Sequence, residues 1–135
     1  MKKVISHFWF GKIKSKEKYL NVVGENENYY DEDDIEEDGK YISEFAKYQG
    51  EIWLDHDFME SGFEDQEISF EDKFIDYSYA AQWIQIARKR LENENYNLSE
   101  INTVIFISKD QIEKPVSVDN LDCNLMYIGE IEYEI

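Results

Sequence analysis

VISHFWFG, from Val4 to Gly11, is the stretch on which the fold turns. It is aromatic and β-branched, the composition of a strand. Val4, Ser6, Phe8 and Phe10 fall on one face, and Ile5, His7 and Trp9 on the other. Both faces are largely apolar, which predicts a central strand rather than an edge.

The neighbouring patterns extend this reading. Ser15 is placed to cap a short helix that runs to about Val23 and stops at Gly24. Ile42, Phe45 and Ala46 form an i, i+3, i+4 stripe that ends at Gly50. In EIWLDHDF, Glu51–Phe58, the residues Ile52, Leu54, His56 and Phe58 alternate with Trp53, Asp55 and Asp57, which predicts another strand. Ser69 and Asp72 have capping-box spacing. The strongest helical pattern spans residues 77–94, with Tyr77, Ala80, Ile84, Ala87 and Leu91 on one face and Trp83 beside them. NTVIFIS, Asn102–Ser108, reads as an apolar strand, and a short edge strand is expected at Val116–Val118. LMYIGEIEYEI, Leu125–Ile135, reads as a strand with Tyr127, Ile131, Tyr133 and Ile135 on a buried face and Glu130, Glu132 and Glu134 on a wet one. The expected fold is α+β: a single domain over 1–135, with an antiparallel or mixed sheet of about four strands and three to four helices packed on it.

The 135 residues suffice for a core without disulfide or metal. Cys123 is the only cysteine, so no internal disulfide is expected, in keeping with a reducing compartment. The start, MKKVISHFWFGKIKSK, mimics a signal peptide, but Ser6 and His7 interrupt its apolar run and Lys12 and Lys14 follow. It reads as a mature N-terminus, and the expected location is the cytoplasm. No run is long enough to span a bilayer.

The net charge is −17, from 31 acidic and 14 basic residues. Such a surface repels nucleic acid and anionic membrane and attracts cationic partners. The charge is focused in YYDEDDIEEDG, Tyr29–Gly39. As a calcium loop, Asp34, Glu36 and Asp38 would take positions 1, 3 and 5, with Gly39 at position 6. Position 12 is then Phe45 rather than glutamate, and Glu44 falls one short, so the spacing does not make an EF-hand. The stretch has no apolar periodicity and reads as an exposed acidic loop.

Other chemistry is sparse. His7 and His56 lack the Cys or His partners of a zinc site and read as structural histidines. There is no G-x-S-x-G, Walker or dinucleotide-binding motif. Arg88, Lys89 and Arg90 read as a basic island paired with nearby acids. Trp53, Asp55 and Asp57 combine an aromatic ring with carboxylates, as a binder of Arg or Lys would, and the competing reading is a core tryptophan with capping or solvated aspartates.

Several segments together resemble one family. HFWFG, then DEDD, then SEFA and GEIWLDHDF, then SYAAQW, are similar in order and spacing to immunity protein family 22 of bacterial polymorphic toxin systems. The resemblance runs from about residue 7 to the last strand, and nothing in 109–124 contributes to it. It implies a non-enzymatic protein that neutralises a cognate toxin, and no cofactor or metal is expected. It brings no catalytic residues with it. Asp31, Glu32, Asp33, Asp34, Trp53, Asp55 and Asp57 are family-like positions.

The leading expectation is a cytoplasmic immunity protein that binds a cationic, nuclease-like toxin. Its contact residues would be Asp31, Glu32, Asp33, Asp34, Glu36, Trp53, Asp55 and Asp57. Two rivals stand beside it. One is an acidic nucleic-acid mimic or adaptor for a host DNA-binding protein, and the other is a small enzyme using His7 or His56 with a carboxylate.

Overall fold

A computed structural model describes residues 2–26 and 41–135 of the chain. The aromatic stretch forms the middle of β1, Lys3–Ile13. Four more strands complete one antiparallel sheet: β2 (Met59–Phe63), β3 (Thr103–Ser108), β4 (Val118–Asp119) and β5 (Cys123–Glu134). Their order is β2-β3-β1-β5-β4, so β1 is central, as its composition requires. The helices are α1 (Lys16–Val23), α2 (Glu44–Tyr48), α3 (Phe70–Phe74) and α4 (Ala80–Asn93). The fold is α+β, with five strands among the described residues where about four were expected.

The two faces of β1 seed two cores. Trp9 and Ile13 pack with Tyr19, Val22 and Val23 of α1 and Phe45 and Ala46 of α2. Phe8 and Phe10 pack with Phe70 and Phe74 of α3 and Trp83, Ala87 and Leu91 of α4. The sheet therefore lies between two helical layers, which is why both faces of β1 are apolar. Phe8, Trp9 and Phe10 are fully buried. Each such side chain contributes about 1.5–3 kcal/mol by leaving water. Phe8 stacks on Phe106 across the strand pair at 4.7 Å, and Trp9 meets Phe45 edge-on at 5.0 Å.

Serine hydroxyls cap α1, α2 and α3, whereas α4 starts at Ala80 rather than 77 and has no side-chain cap. The hydroxyls of Ser15, Ser43 and Ser69 accept the amides of Lys18, Ala46 and Asp72. Gly62 of β2 lies directly under Tyr77, where even a methyl group would overlap the phenol. That approach lets Tyr77 donate to Glu64 at 3.0 Å.

Two expectations need correction. Glu51–Phe58 is not a strand. Only Leu54 is buried there, and Asp55 caps a 3₁₀ turn at His56–Phe58 by accepting the Asp57 amide at 3.0 Å. An aspartate bonding two residues ahead competes with ladder formation. The strand starts only at Met59.

The second correction concerns β5. Its register against β1 shifts between Phe8 and Trp9, so Phe8 faces Gly129 and Trp9 faces Tyr127. Ile128 is the extra residue of this bulge, and Gly129 adopts φ +102°. The bulge reverses the side-chain alternation. Tyr127 packs on the Trp9 side, whereas Ile131 and Tyr133 pack on the Phe8 side. The expected single buried face holds only beyond Gly129, where Glu130 and Glu132 are exposed and Ile131 and Tyr133 are buried.

The outer edge of β5 is met by a strand only at its start, through Val118 and Asp119. Side chains cover much of the rest. Ser117 accepts the Tyr127 amide, and Arg90 donates to the carbonyls of Ile128 and Glu130. Gln82 bonds both the amide and the carbonyl of Glu134. Arg90 thus protects a sheet edge and has no acidic partner among the described residues, while Arg88 does pair, with Glu71 and Glu92.

Candidate functional site

Of the eight expected contact residues, Asp31, Glu32, Asp33, Asp34 and Glu36 lie outside the described residues. The residues flanking that stretch are described. Asn26 donates from its amide to the Ile42 carbonyl at 2.7 Å and from its side chain to Tyr41 at 2.7 Å. Ile42 in turn donates to Ile52 at 2.9 Å, and Glu25 lies 3.1 Å from Nδ1 of His56. Glu25, Asn26 and Ile42 thus lie beside residues 52–56.

Trp53, Asp55 and Asp57 do not share a strand face, because no strand forms there. Trp53 is 46% exposed, which removes the reading of a core tryptophan. Asp55 is half-buried, and its carboxylate caps the turn while its amide donates to Gln111 at 3.0 Å. That matches the capping alternative for Asp55. Asp57 is exposed.

Asp57 also lines a groove of about 1340 Å³ at one end of the sheet, where β1 and β2 begin and β3 and β5 end. Phe58, Tyr79, Ile5 and Ile135 stand in it as exposed apolar side chains. Six carboxylates and three lysines line it, so its sign is acidic. One lysine, Lys109, is already held by Glu130 at 3.3 Å. Sequence reading missed this groove. Phe58 carried the pattern of a buried strand residue, and Tyr79 lay inside the predicted helix. Tyr79 instead precedes α4 with φ 60° and stacks on Tyr133 at 5.5 Å.

His7 serves the fold. His7 is buried, with Nε2 3.3 Å from the Ile112 carbonyl and Nδ1 2.8 Å from the Tyr127 hydroxyl. A carbonyl only accepts, so Nε2 carries a proton, and in the neutral ring Nδ1 then accepts from Tyr127. Trp9 donates to the Val116 carbonyl at 2.8 Å, and Gln49 bonds both the amide and the carbonyl of Val116. These bonds fasten residues 112–116 over the sheet. Burial pushes the Cys123 thiol up to about 11, with Asp122 adding to the effect, so the thiol stays protonated at neutral pH. Among the described residues, no group of three or more His, Cys, Asp or Glu is arranged to hold a metal ion, and no helix is long and apolar enough to cross a membrane.

Exposed aromatic and aliphatic side chains beside exposed carboxylates have the makeup of a protein-binding surface, in which rings act as anchors and charges set the partner. The comparison with protein families places the chain within that class, among the immunity proteins. The model of the family Immunity protein 22 matches residues 7–134, and the chain belongs to that family. Neither the curated proteins nor the solved structures give a match. Membership of an immunity protein family implies a toxin as partner.

Proposed function

We propose that the chain neutralises a cognate toxin of a polymorphic toxin system in the cytoplasm by binding a cationic, nuclease-like domain through its acidic surface. It acts by occupying the toxin and needs no chemistry of its own. The observation that carries this reading is the −17 net charge on a member of an immunity protein family. Nuclease sites gather Lys and Arg around phosphates, so an acidic surface complements them. Long-range attraction raises the rate of encounter, and a few desolvated contacts then hold the complex.

The described residues that flank the acidic stretch are in keeping with the same reading. Asn26 and Ile42, which are described on either side of 27–40, are bonded to each other, and Ile42 donates to Ile52, next to Trp53. The test is co-expression with the toxin domain encoded beside this chain's gene. Growth should be restored by the wild-type chain and by His7→Ala and His56→Ala variants that fold. Loss of protection in a folded histidine variant would favour an enzyme instead. A host DNA-binding protein as the sole stable partner would favour the adaptor.

A further inference from the structure

The groove owes its shape to two strands of unequal reach. β3 ends at Ser108, opposite Ser6, and the chain then turns through Lys109–Gln111. β1 extends further. Lys3, Val4 and Ile5 pair with β5 on one side, but their register with β3 has already ended on the other. For three residues the central strand is therefore an edge, and it lies in the groove. Strand edges take up extended peptide by main-chain hydrogen bonding, while neighbouring pockets select the side chains.

The surroundings select the occupant. Phe58 is 58% exposed, and Ile5, Tyr79 and Ile135 are exposed around it. An apolar side chain of a partner would cover them. Asp57, Asp110 and Glu113 also line the groove, and none of them has an ion-pair partner among the described residues. Lys or Arg is the complement to such carboxylates. A second copy would bring −17 against −17, and a nucleic acid or anionic lipid surface would be repelled in the same way.

We infer that the groove receives an extended, basic segment of the toxin, which adds as a short strand beside Lys3–Ile5 and sets an apolar side chain against Phe58. This inference rests on the proposed function and adds the groove to the binding surface.

The experiment uses the full chain and an inactive form of the toxin domain encoded beside its gene. Calorimetry measures affinity, stopped flow measures association, and amide hydrogen exchange reports on Lys3–Ile5. Phe58→Ala should weaken binding by about tenfold or more. Asp57→Lys with Glu113→Lys should slow association, and the amides of Lys3–Ile5 should exchange more slowly in the complex. If Phe58→Ala lowers the melting temperature, the exposed charge reversals carry the test. Groove variants that keep the fold and bind within about twofold of wild type, with unprotected amides, overturn the inference. Binding lost only when Asp31, Asp33, Asp34 and Glu36 are neutralised overturns the groove and leaves the proposed function standing. A wild-type chain that does not bind the domain overturns both. Dimerisation of the free chain that the groove variants abolish would assign the groove to a second copy and also overturn it.

Discussion

Gly129→Ala is expected to destabilise the protein through two separable effects. The first is backbone strain. Gly129 has φ +102°, a region that a side chain rarely adopts. Holding alanine there costs about 1–3 kcal/mol. The second is contact with Arg90. An added Cβ would lie 3.1 Å from its Nη1, the atom that donates to Ile128 at 3.1 Å and Glu130 at 2.7 Å. A flexible guanidinium can retreat, but it then leaves two strand-edge carbonyls to water. Each exposed bond is worth about 1 kcal/mol at most, so the total is about 2–4 kcal/mol. Urea unfolding followed by tryptophan fluorescence measures it. Arg90→Ala alone should cost about 1–2 kcal/mol, and the double variant should cost less than the sum by about 1 kcal/mol, because the methyl group and the truncation break the same bonds. A Gly129→Ala variant within about 0.5 kcal/mol of wild type would refute the claim that glycine fixes the bulge. Strict additivity would refute the coupling to Arg90.

Three further outcomes are expected. Gln82→Ala frees the amide and carbonyl of Glu134, and combined with Arg90→Ala it should open the β5 edge and promote concentration-dependent association, seen by sedimentation. Alkali should destabilise the fold. Burial raises the Cys123 thiol from 9.0 to about 11, so the unfolded chain loses this proton first and stability falls as pH rises from 9 toward 11. The loss is on the order of 2 kcal/mol, and Cys123→Ala should remove it. Burial likewise raises Tyr19, Tyr77 and Tyr133, so further decline is expected above pH 10.0, whereas buried Lys73, lowered by desolvation, acts in the opposite sense. Finally, neutralising Asp31, Asp33, Asp34 and Glu36 to Asn or Gln should leave urea unfolding unchanged and slow toxin association by about tenfold at low salt.

Much of the fold was legible because local chemistry and tertiary context agree. β1 is apolar on both faces and is covered on both. Ser15 and Ser69 cap helices as their spacing predicts. The misreadings share a cause. In Glu51–Phe58 the alternation is genuine, yet Asp55 forms a local turn that no periodicity reveals. In β5 one inserted residue reverses the pattern, and the only trace of it is a glycine among strand formers. MESGF, which forms β2, carries a glycine because Tyr77 lies over it, a relation between distant residues. Of the expected contacts, Trp53 and Asp57 are exposed, while Asp55 is engaged as a cap. The groove was illegible because it arises where β3 ends before β1 does, and its apolar lining resembles core in sequence.

The central claim is that an acidic surface captures a cationic toxin. The most direct measurement is the association rate with the toxin domain across ionic strength. Opposite charges steered together should associate at least about tenfold more slowly at 0.5 M salt than at 0.02 M, with a much smaller change in dissociation. An association rate indifferent to salt would contradict the claim.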